Sequence, residues 1–345
     1  MSAGSGEGIP PAGGPARHIP VLLAESLAAL APRAGGVYLD GTFGAGGHSR
    51  ALLARGAEVI GVDRDPRAVA AASAMVAEAA GRLRLVEGRF GALDEIARRL
   101  GRDRLDGVVL DVGVSSMQLD EAKRGFSLRY DAPLDMRMEG QGRTAAEILA
   151  EEDETTLADI FYHFGEERAA RRIARAIVAD RRSAPWVSTL QLARMIARVA
   201  PVRPGESTHP ATRAFQALRI AVNDELGELL RGLSAAERAL APSGRLVVVT
   251  FHSLEDRIVK QFLARRSGRG QAASRRLPGE PPVALPSFLV PAGQPIVPAA
   301  AELEINPRAR SAKLRWGERT EAPSIEVGPA IAALTRLPSA RGRTG

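Results

Sequence analysis

The sequence predicts an α/β fold, a parallel sheet with helices on its faces, interrupted by an inserted all-helical domain. Three observations predict it. Short apolar runs alternate with helical patterns through the first third of the chain, at the spacing of βαβ units. A glycine-rich loop stands where the first apolar run hands over to a helix. The next convincing buried strand after Asp111 begins about 130 residues later, at Arg245, whereas one crossover needs only about 30.

Taken in order, Val37-Tyr-Leu-Asp40 is a strand ending in an acid, followed by the loop and a helix over Ser49 to Arg55. Glu58 to Asp63 is the second strand, and a helix from Pro66 to about Ala80 starts with proline in its first turn. Leu83 to Glu87, Leu93 to Leu100 and Leu105 to Asp111 continue the pattern as strand, helix and strand. The insert has helical patterns at Ala145 to Leu149, Thr156 to Phe164, Glu167 to Asp180, Thr189 to Val199 and Pro210 to Arg231. Arg245 to Phe251 returns to the sheet. A helix from about Leu254 to Arg265 follows, where Ser253 and Asp256 have the spacing of a capping box. Ser311 to Glu318 supplies a last strand. The expected organisation is a disordered tail at 1–17, a sheet domain at 18–138 and 236–319, and a helical insert at 139–235. A basic, Gly/Pro-rich mobile loop at 267–286 and a C-terminal tail at 320–345, aperiodic from Ser339, complete it.

With 345 residues the chain can bury a core in each domain, and 45% hydrophobic with 25% charged residues describes a globular protein. No apolar run approaches the ~18 residues of a membrane span, and the N-terminal stretch has no signal-peptide pattern. Cysteine is absent, which excludes disulfides, thiolate metal sites and cysteine nucleophiles, and is compatible with a cytoplasmic location. The five histidines have no metal-ligand spacing, so no metal is expected. A net charge of +7 favours a polyanionic partner, although nearly all of it is arginine, a skew that a GC-rich genome also produces.

The strongest motif is Asp40-Gly-Thr-Phe-Gly-Ala-Gly-Gly-His-Ser49. Glycines at a strand-to-helix turn let backbone approach a ligand, and the helix start offers free N–H groups. Asp63 ends the next strand, 17 residues past Gly46, where an acid accepts hydrogen bonds from ribose hydroxyls. Ser49 stands at the third glycine position of the dinucleotide fingerprint, which argues for a ligand without a pyrophosphate. Phe90 and Asp111, just past the third strand and at the end of the fourth, reach the same rim. Phe90 would abut an adenine or fill the core; Asp111 would serve the site or cap a helix.

Beyond that loop, His18-Ile-Pro-Val-Leu-Leu, Val62-Asp-Arg-Asp-Pro66 and Leu110-Asp-Val-Gly-Val-Ser-Ser-Met-Gln-Leu-Asp120 form a set. Arg124-Gly-Phe-Ser, Pro133-Leu-Asp-Met-Arg-Met138, Thr250-Phe-His-Ser-Leu-Glu-Asp-Arg257, Asn306-Pro-Arg and Arg310-Ser-Ala-Lys-Leu-Arg315 extend it. Together they resemble the ribosomal RNA small-subunit methyltransferase H family from about His18 to Arg319. The resemblance implies a Rossmann-like class I methyltransferase core with S-adenosylmethionine as cofactor. It implies a cytidine of 16S ribosomal RNA, in the decoding region of the small ribosomal subunit, as substrate at its N4 amine. Carried over by motif, the cofactor contacts are Gly46, Gly47, His48, Asp63, Phe90, Asp111 and Gln118, the last from the resemblance alone. Met117 stands where the family usually has proline, a departure expected to loosen the loop carrying Gln118. Trp316 replaces a smaller apolar residue.

An exocyclic amine is a poor nucleophile because its lone pair is conjugated with the ring. Transfer needs it held in line about 3 Å from the methyl, with acceptors that localise the lone pair. The base must also leave any stack. The Asp/Asn-Pro-Pro-aromatic motif of other amino-methyltransferases is absent at Asp111-Val-Gly-Val-Ser-Ser116. Asp135 is therefore the leading acceptor candidate, with Ser115 and His252 behind it. Against these stand an Asp135–Arg137 ion pair and a structural hydrogen bond for His252. In the insert, Thr212, Gln216, Arg219 and Asn223 share a polar face opposite Phe215, Leu218, Val222 and Leu226, which contacts RNA or another domain, or is simply solvated. Arg171, Arg172, Arg175, Arg181 and Arg182 offer a phosphate-contacting surface. A cysteine-dependent C5 methyltransferase is excluded. A DNA amino-methyltransferase, an NAD dehydrogenase and a non-catalytic RNA-binding factor are the competing readings. A homodimer is allowed but not specified.

Overall fold

The computed structural model describes residues 20–115, 118, 121–128, 130–200, 209–268 and 285–338. The tail expected at 1–17, Met117, most of the 267–286 loop and the end from Ser339 lie outside the described residues.

One seven-stranded sheet forms the centre, in the order β3-β2-β1-β4-β5-β7-β6. Its strands are β1 Val37–Asp40, β2 Glu58–Asp63, β3 Leu83–Glu87, β4 Leu105–Asp111, β5 Leu240–Thr250, β6 Phe288–Leu289 and β7 Lys313–Arg319. The first five are parallel, and β7 is antiparallel to both β5 and β6. This is the expected Rossmann-like α/β architecture. The strands are apolar at consecutive positions because both faces are covered. Leu39, Ile60, Val108 and Val248 enter one core cluster, and their neighbours Tyr38, Val59, Val109 and Val247 enter the other. The second cluster is closed by α1 Leu23–Leu30, α2 Gly47–Leu53 and α4 Ser73–Glu78, with α3 Pro66–Ala71 preceding α4.

On the first face lie α5 Leu93–Arg99 and the helices between β4 and β5. These are α6 Ala145–Glu151, α7 Glu154–Asp159, α8 Ala170–Asp180, α9 Thr189–Val199, α10 Thr212–Asn223 and α11 Glu225–Ala239. After β5 come α12 Ser253–Arg266, α13 Ala300–Ile305 and α14 Pro329–Ala333. Leu39 and Leu110 of the sheet share one apolar cluster with Ile148, Phe161, Ile173, Ile196 and Leu218 of the helical segment, so this face and the insert have a continuous core. No helix among the described residues is long and apolar enough to cross a membrane.

Several expected elements are redrawn. The helix from Pro66 to Ala80 is two helices meeting at Ala72. Pro210 to Arg231 is also two, because Asp224 is left-handed at φ 49°, a conformation Asp tolerates better than most residues. The second of these, α11, runs straight into β5, and the expected insert boundary at 235 falls inside it. The capping box is His252 and Glu255, one residue earlier than expected. Ser253 Oγ donates instead to Glu166 at 2.5 Å, and Asp256 accepts from Lys313 and Arg315. After Arg319 the chain is no tail as far as residue 338: it carries α14, and Ile331 is buried. A buried ion pair explains the anchoring. Glu237, paired with the fully buried Arg266, also accepts from Ile325 N at 3.1 Å, while Arg266 Nη2 donates to Ile325 O at 2.6 Å.

Candidate functional site

The carboxyl ends of β1, β2 and β4 open onto a cavity of about 440 Å³, a size typical of small-ligand sites. Beyond Asp40 at the end of β1, the loop Gly41-Thr-Phe-Gly-Ala45 lines it, and Gly46 follows. Gly46 is left-handed at φ 74°, and a Cβ there would sit 2.7 Å from Phe43 Cζ. A Cβ on Gly47 would sit 2.2 Å from Pro20 Cγ. Both positions are thus small for packing as well as for ligand approach, and Gly47, but not Gly46, lines the cavity. Ser49, the departure from the dinucleotide fingerprint, donates at 2.7 Å to Asp40, whose carboxyl burial pushes up to about 6. The serine therefore satisfies a buried acid below the loop.

Asp63 lines the cavity and accepts from Gly44 N at 2.7 Å and Asp65 N at 2.8 Å. Burial raises its pKa against those two bonds. Phe90 lies on the wall, tucked against Gly232 of α11, where a Cβ would come within 2.4 Å of its ring. Asp111 receives no hydrogen bond on Oδ1 among the described residues; its backbone N–H donates to Thr42 at 2.6 Å. Burial, reinforced by the nearby charges of Asp40 and Glu255, pushes its carboxyl up to about 8. His48 is buried 4.0 Å from Asp111 Oδ2, and burial lowers it to about 4, so the imidazole is neutral at pH 7. Its Nε2 also has no partner among the described residues.

Gln118 holds the loop after β4: its Nε2 donates to Asp65 at 3.2 Å, and its Oε1 accepts from Ser115 N at 3.0 Å. Ser115 Oγ in turn accepts from Gln118 N at 3.2 Å. Ser115 and His252 line the cavity; Asp135 does not. Asp135 accepts from Arg137 Nε at 2.7 Å and Nη2 at 2.9 Å, and this guanidinium holds its pKa below the usual carboxylate range. The ion-pair alternative is what the geometry shows for it. His252 caps α12, with Nε2 3.0 Å from Glu255 Oε1 but off the line of a hydrogen bond.

The polar face of α10 divides. Thr212 is exposed, and Asn223 is buried, donating to Met136 O at 2.8 Å and accepting from Met138 N at 2.9 Å. Gln216 and Arg219 line the same cavity as the glycine-rich loop. Of the arginine group, Arg181 donates to Leu149 O and Glu152 O, capping α6, and Arg175 pairs with Glu154 at 3.5 Å. Arg171, Arg172 and Arg182 are exposed.

Sequence reasoning missed Arg64, Glu225, Glu228 and Arg308 as cavity residues. Arg308 belongs to the Asn306-Pro-Arg motif, which was a signal; Glu225 and Glu228 sit in an ordinary amphipathic helix that gave none. Glu225, His252 and Glu255 bring ligand-type atoms within 4.8 Å of one another. Arg219 already neutralises Glu225 through bonds of 2.8 Å to each of its oxygens, which leaves less charge for a cation.

A family model described as the MraW methylase family matches residues 15–320 of the chain. A protein of Methylocella silvestris named ribosomal RNA small subunit methyltransferase H is 62% identical, the match covering 99% of this chain and 100% of that protein. The proteins of the same name from Methylorubrum populi and Beijerinckia indica are 61% and 60% identical, over 95% and 98% of this chain and 94% and 96% of theirs.

Proposed function

The chain belongs to the MraW methylase family, and from that premise we propose that it methylates small-subunit ribosomal RNA at the N4 amine of a cytidine in the decoding region. One observation carries the reading. A single cavity is lined both by nucleoside-type groups, the glycine-rich loop with Asp63 and Phe90, and by polar side chains of the helical segment, Gln216 and Arg219 among them, that could meet a second molecule. S-adenosylmethionine is the methyl donor, and the residues present fit it. Asp63 suits the ribose hydroxyls, Phe90 the adenine, and the backbone at Gly47 the approach of the ligand to α2, with Gly46 making the left-handed turn before it. Gln118 ties the loop after β4 to Asp65, and neutral His48 adds no cationic charge. When bound, S-adenosylmethionine supplies a methyl group on a cationic sulfonium.

The remaining work falls to the chain's own groups. Asp111, once ionised, would favour the cationic donor, whereas Glu225 and Glu228 are already paired with Arg219 and Arg231. Asp111 Oδ1, buried and without a hydrogen-bond partner among the described residues, would be the group to meet the donor's cationic end. Ser115 and His252 also line the cavity and would accept hydrogen bonds from the amine, localising the nitrogen lone pair. The imidazole of His252 could then receive the proton the amine loses as the N–CH3 bond forms and the S–CH3 bond breaks. Asp135 is left out of this role because both its oxygens are engaged by Arg137. The cavity walls keep bulk water from competing at the transfer point.

The test is transfer of tritium from labelled S-adenosylmethionine to small ribosomal subunits lacking the modification, followed by nucleoside identification. Label in N4-methylcytidine, lost with Asp63→Ala, supports the reading. Label in another nucleoside overturns the choice of base, and cofactor binding without label overturns the substrate.

A further inference from the structure

Arg219, on α10, lines the cavity that the glycine-rich loop also lines, and its surroundings specify what it can meet. Glu225 takes its Nε and Nη2, each at 2.8 Å, so the guanidinium plane is fixed by a two-point contact. The remaining nitrogen, Nη1, has no hydrogen-bond partner among the described residues, and the side chain is mostly buried at 16% exposure. One edge of the fork is therefore anchored, and the other, Nη1 with Nη2, is presented to the cavity as a rigid pair of donors.

The charges nearby decide between anionic and neutral occupants. Glu225 and Glu228 line this end of the cavity, and the charge of the buried Glu255 reaches both Arg219 and Asp111. Because Glu225 already meets the charge of Arg219, the free edge of the fork offers donors without an unbalanced positive charge. That edge suits a neutral ring with two adjacent acceptors better than a carboxylate or phosphate. Cytosine offers such an edge: O2 and N3 both accept, and the N4 amine follows next on the ring. Uracil and guanine present an N–H at the corresponding ring nitrogen, which would face a guanidinium N–H.

Resting on the cytidine reading above, we propose that Arg219 is the residue that orients the target base, donating to N3 and O2 of cytosine and so aiming N4 at the methyl group. Glu225 is the positioning residue that holds the fork at the required angle. Arg219 makes no covalent contribution; it acts through placement and through rejection of bases with a donor at that edge.

The test is a substrate–enzyme cycle. Small subunits are reconstituted with RNA carrying cytidine or 3-deazacytidine, in which N3 is replaced by CH, at the position labelled in the first experiment. Transfer rates are measured for the wild type, Arg219→Met and Arg219→Lys, together with S-adenosylmethionine affinity by calorimetry. With wild type, loss of N3 slows transfer about tenfold to a hundredfold, the range of a hydrogen bond to a charged donor. Arg219→Met slows transfer to cytidine similarly but shows little further loss with 3-deazacytidine. Arg219→Lys, which keeps charge without the fork, falls in between, and cofactor affinity stays within about twofold. Losses that multiply instead of overlapping overturn the proposal, as does a wild type indifferent to N3, which needs no variant to fold. Cofactor affinity more than about tenfold weaker in Arg219→Met would reassign the residue to the carboxylate of S-adenosylmethionine. A wild type that labels no cytidine at all removes the parent reading and this one with it.

Discussion

Asp111 supplies the sharpest prediction because its environment is so unfavourable to charge. Its carboxyl is pushed up to about 8 by burial, then by Asp40 and Glu255. At pH 7 only about a tenth of the free protein has Asp111 ionised, rising to about nine-tenths at pH 9. A cationic donor binds the ionised form, so its apparent affinity at pH 7 is reduced by that fraction. Affinity for S-adenosylmethionine is therefore expected to strengthen about tenfold between pH 7 and pH 9. Close to one proton should be released per molecule bound at pH 7. Calorimetry in buffers of different ionisation enthalpy measures both quantities. The donor's own ammonium titrates near pH 8, so the readout is the difference between wild type and Asp111→Asn. If both show the same pH dependence and proton release, Asp111 does not meet the cation and the assignment fails. Stability moves in the opposite sense. The folded state keeps a proton that the unfolded chain loses near its ordinary 3.8, so this group's contribution declines as pH rises from about 4 to about 8.

Other expectations rest on single contacts. Asp63→Ala removes the acceptor for Gly44 N and Asp65 N as well as for a ribose, and should weaken cofactor binding about tenfold or more. Calorimetry at constant melting temperature checks this, and unchanged affinity would refute the ribose role. Glu237→Ala leaves the fully buried Arg266 without its carboxylate and should cost about 3–5 kcal/mol in urea unfolding. The 320–338 segment should become protease-sensitive in the same variant; a loss below about 1 kcal/mol would show that the pair is dispensable. Asn223→Ala strands Met136 O and Met138 N, destabilising by about 1–3 kcal/mol with a measurable fall in methyl transfer.

Much of the sheet was legible because both its faces are buried: β1 to β4 match their expected limits, and only period and apolar content were needed to find them. Helix breaks were less legible. Asp224 turns the chain through a left-handed residue inside a continuous apolar pattern, and nothing in the local pattern distinguishes that from one long helix. The 320–338 segment was read as a tail because its anchors are backbone groups of Ile325 meeting Glu237 and Arg266, which are distant in sequence. At the site, Asp63, Phe90, Asp111 and Gln118 line one cavity, since strand ends and their loops are fixed by local sequence. Asp135 lies off the cavity wall for a local reason, its ion pair with the neighbouring Arg137, a pairing the sequence offers without fixing. Glu225 and Glu228 escaped notice because their place depends on how α11 docks.

The position of β7 has a consequence for how the chain is made. This strand is the last in chain order among the described residues, yet it lies inside the sheet, pairing β5 along six residues from Arg245 to Thr250. During synthesis, β5 and its valines exist long before their partner emerges, so the nascent chain carries an open, apolar strand edge. A premature stop anywhere between β5 and Lys313 therefore yields a product that is sticky instead of merely inactive. Nonsense variants in this stretch should burden chaperones and proteases more than earlier truncations that never build β5.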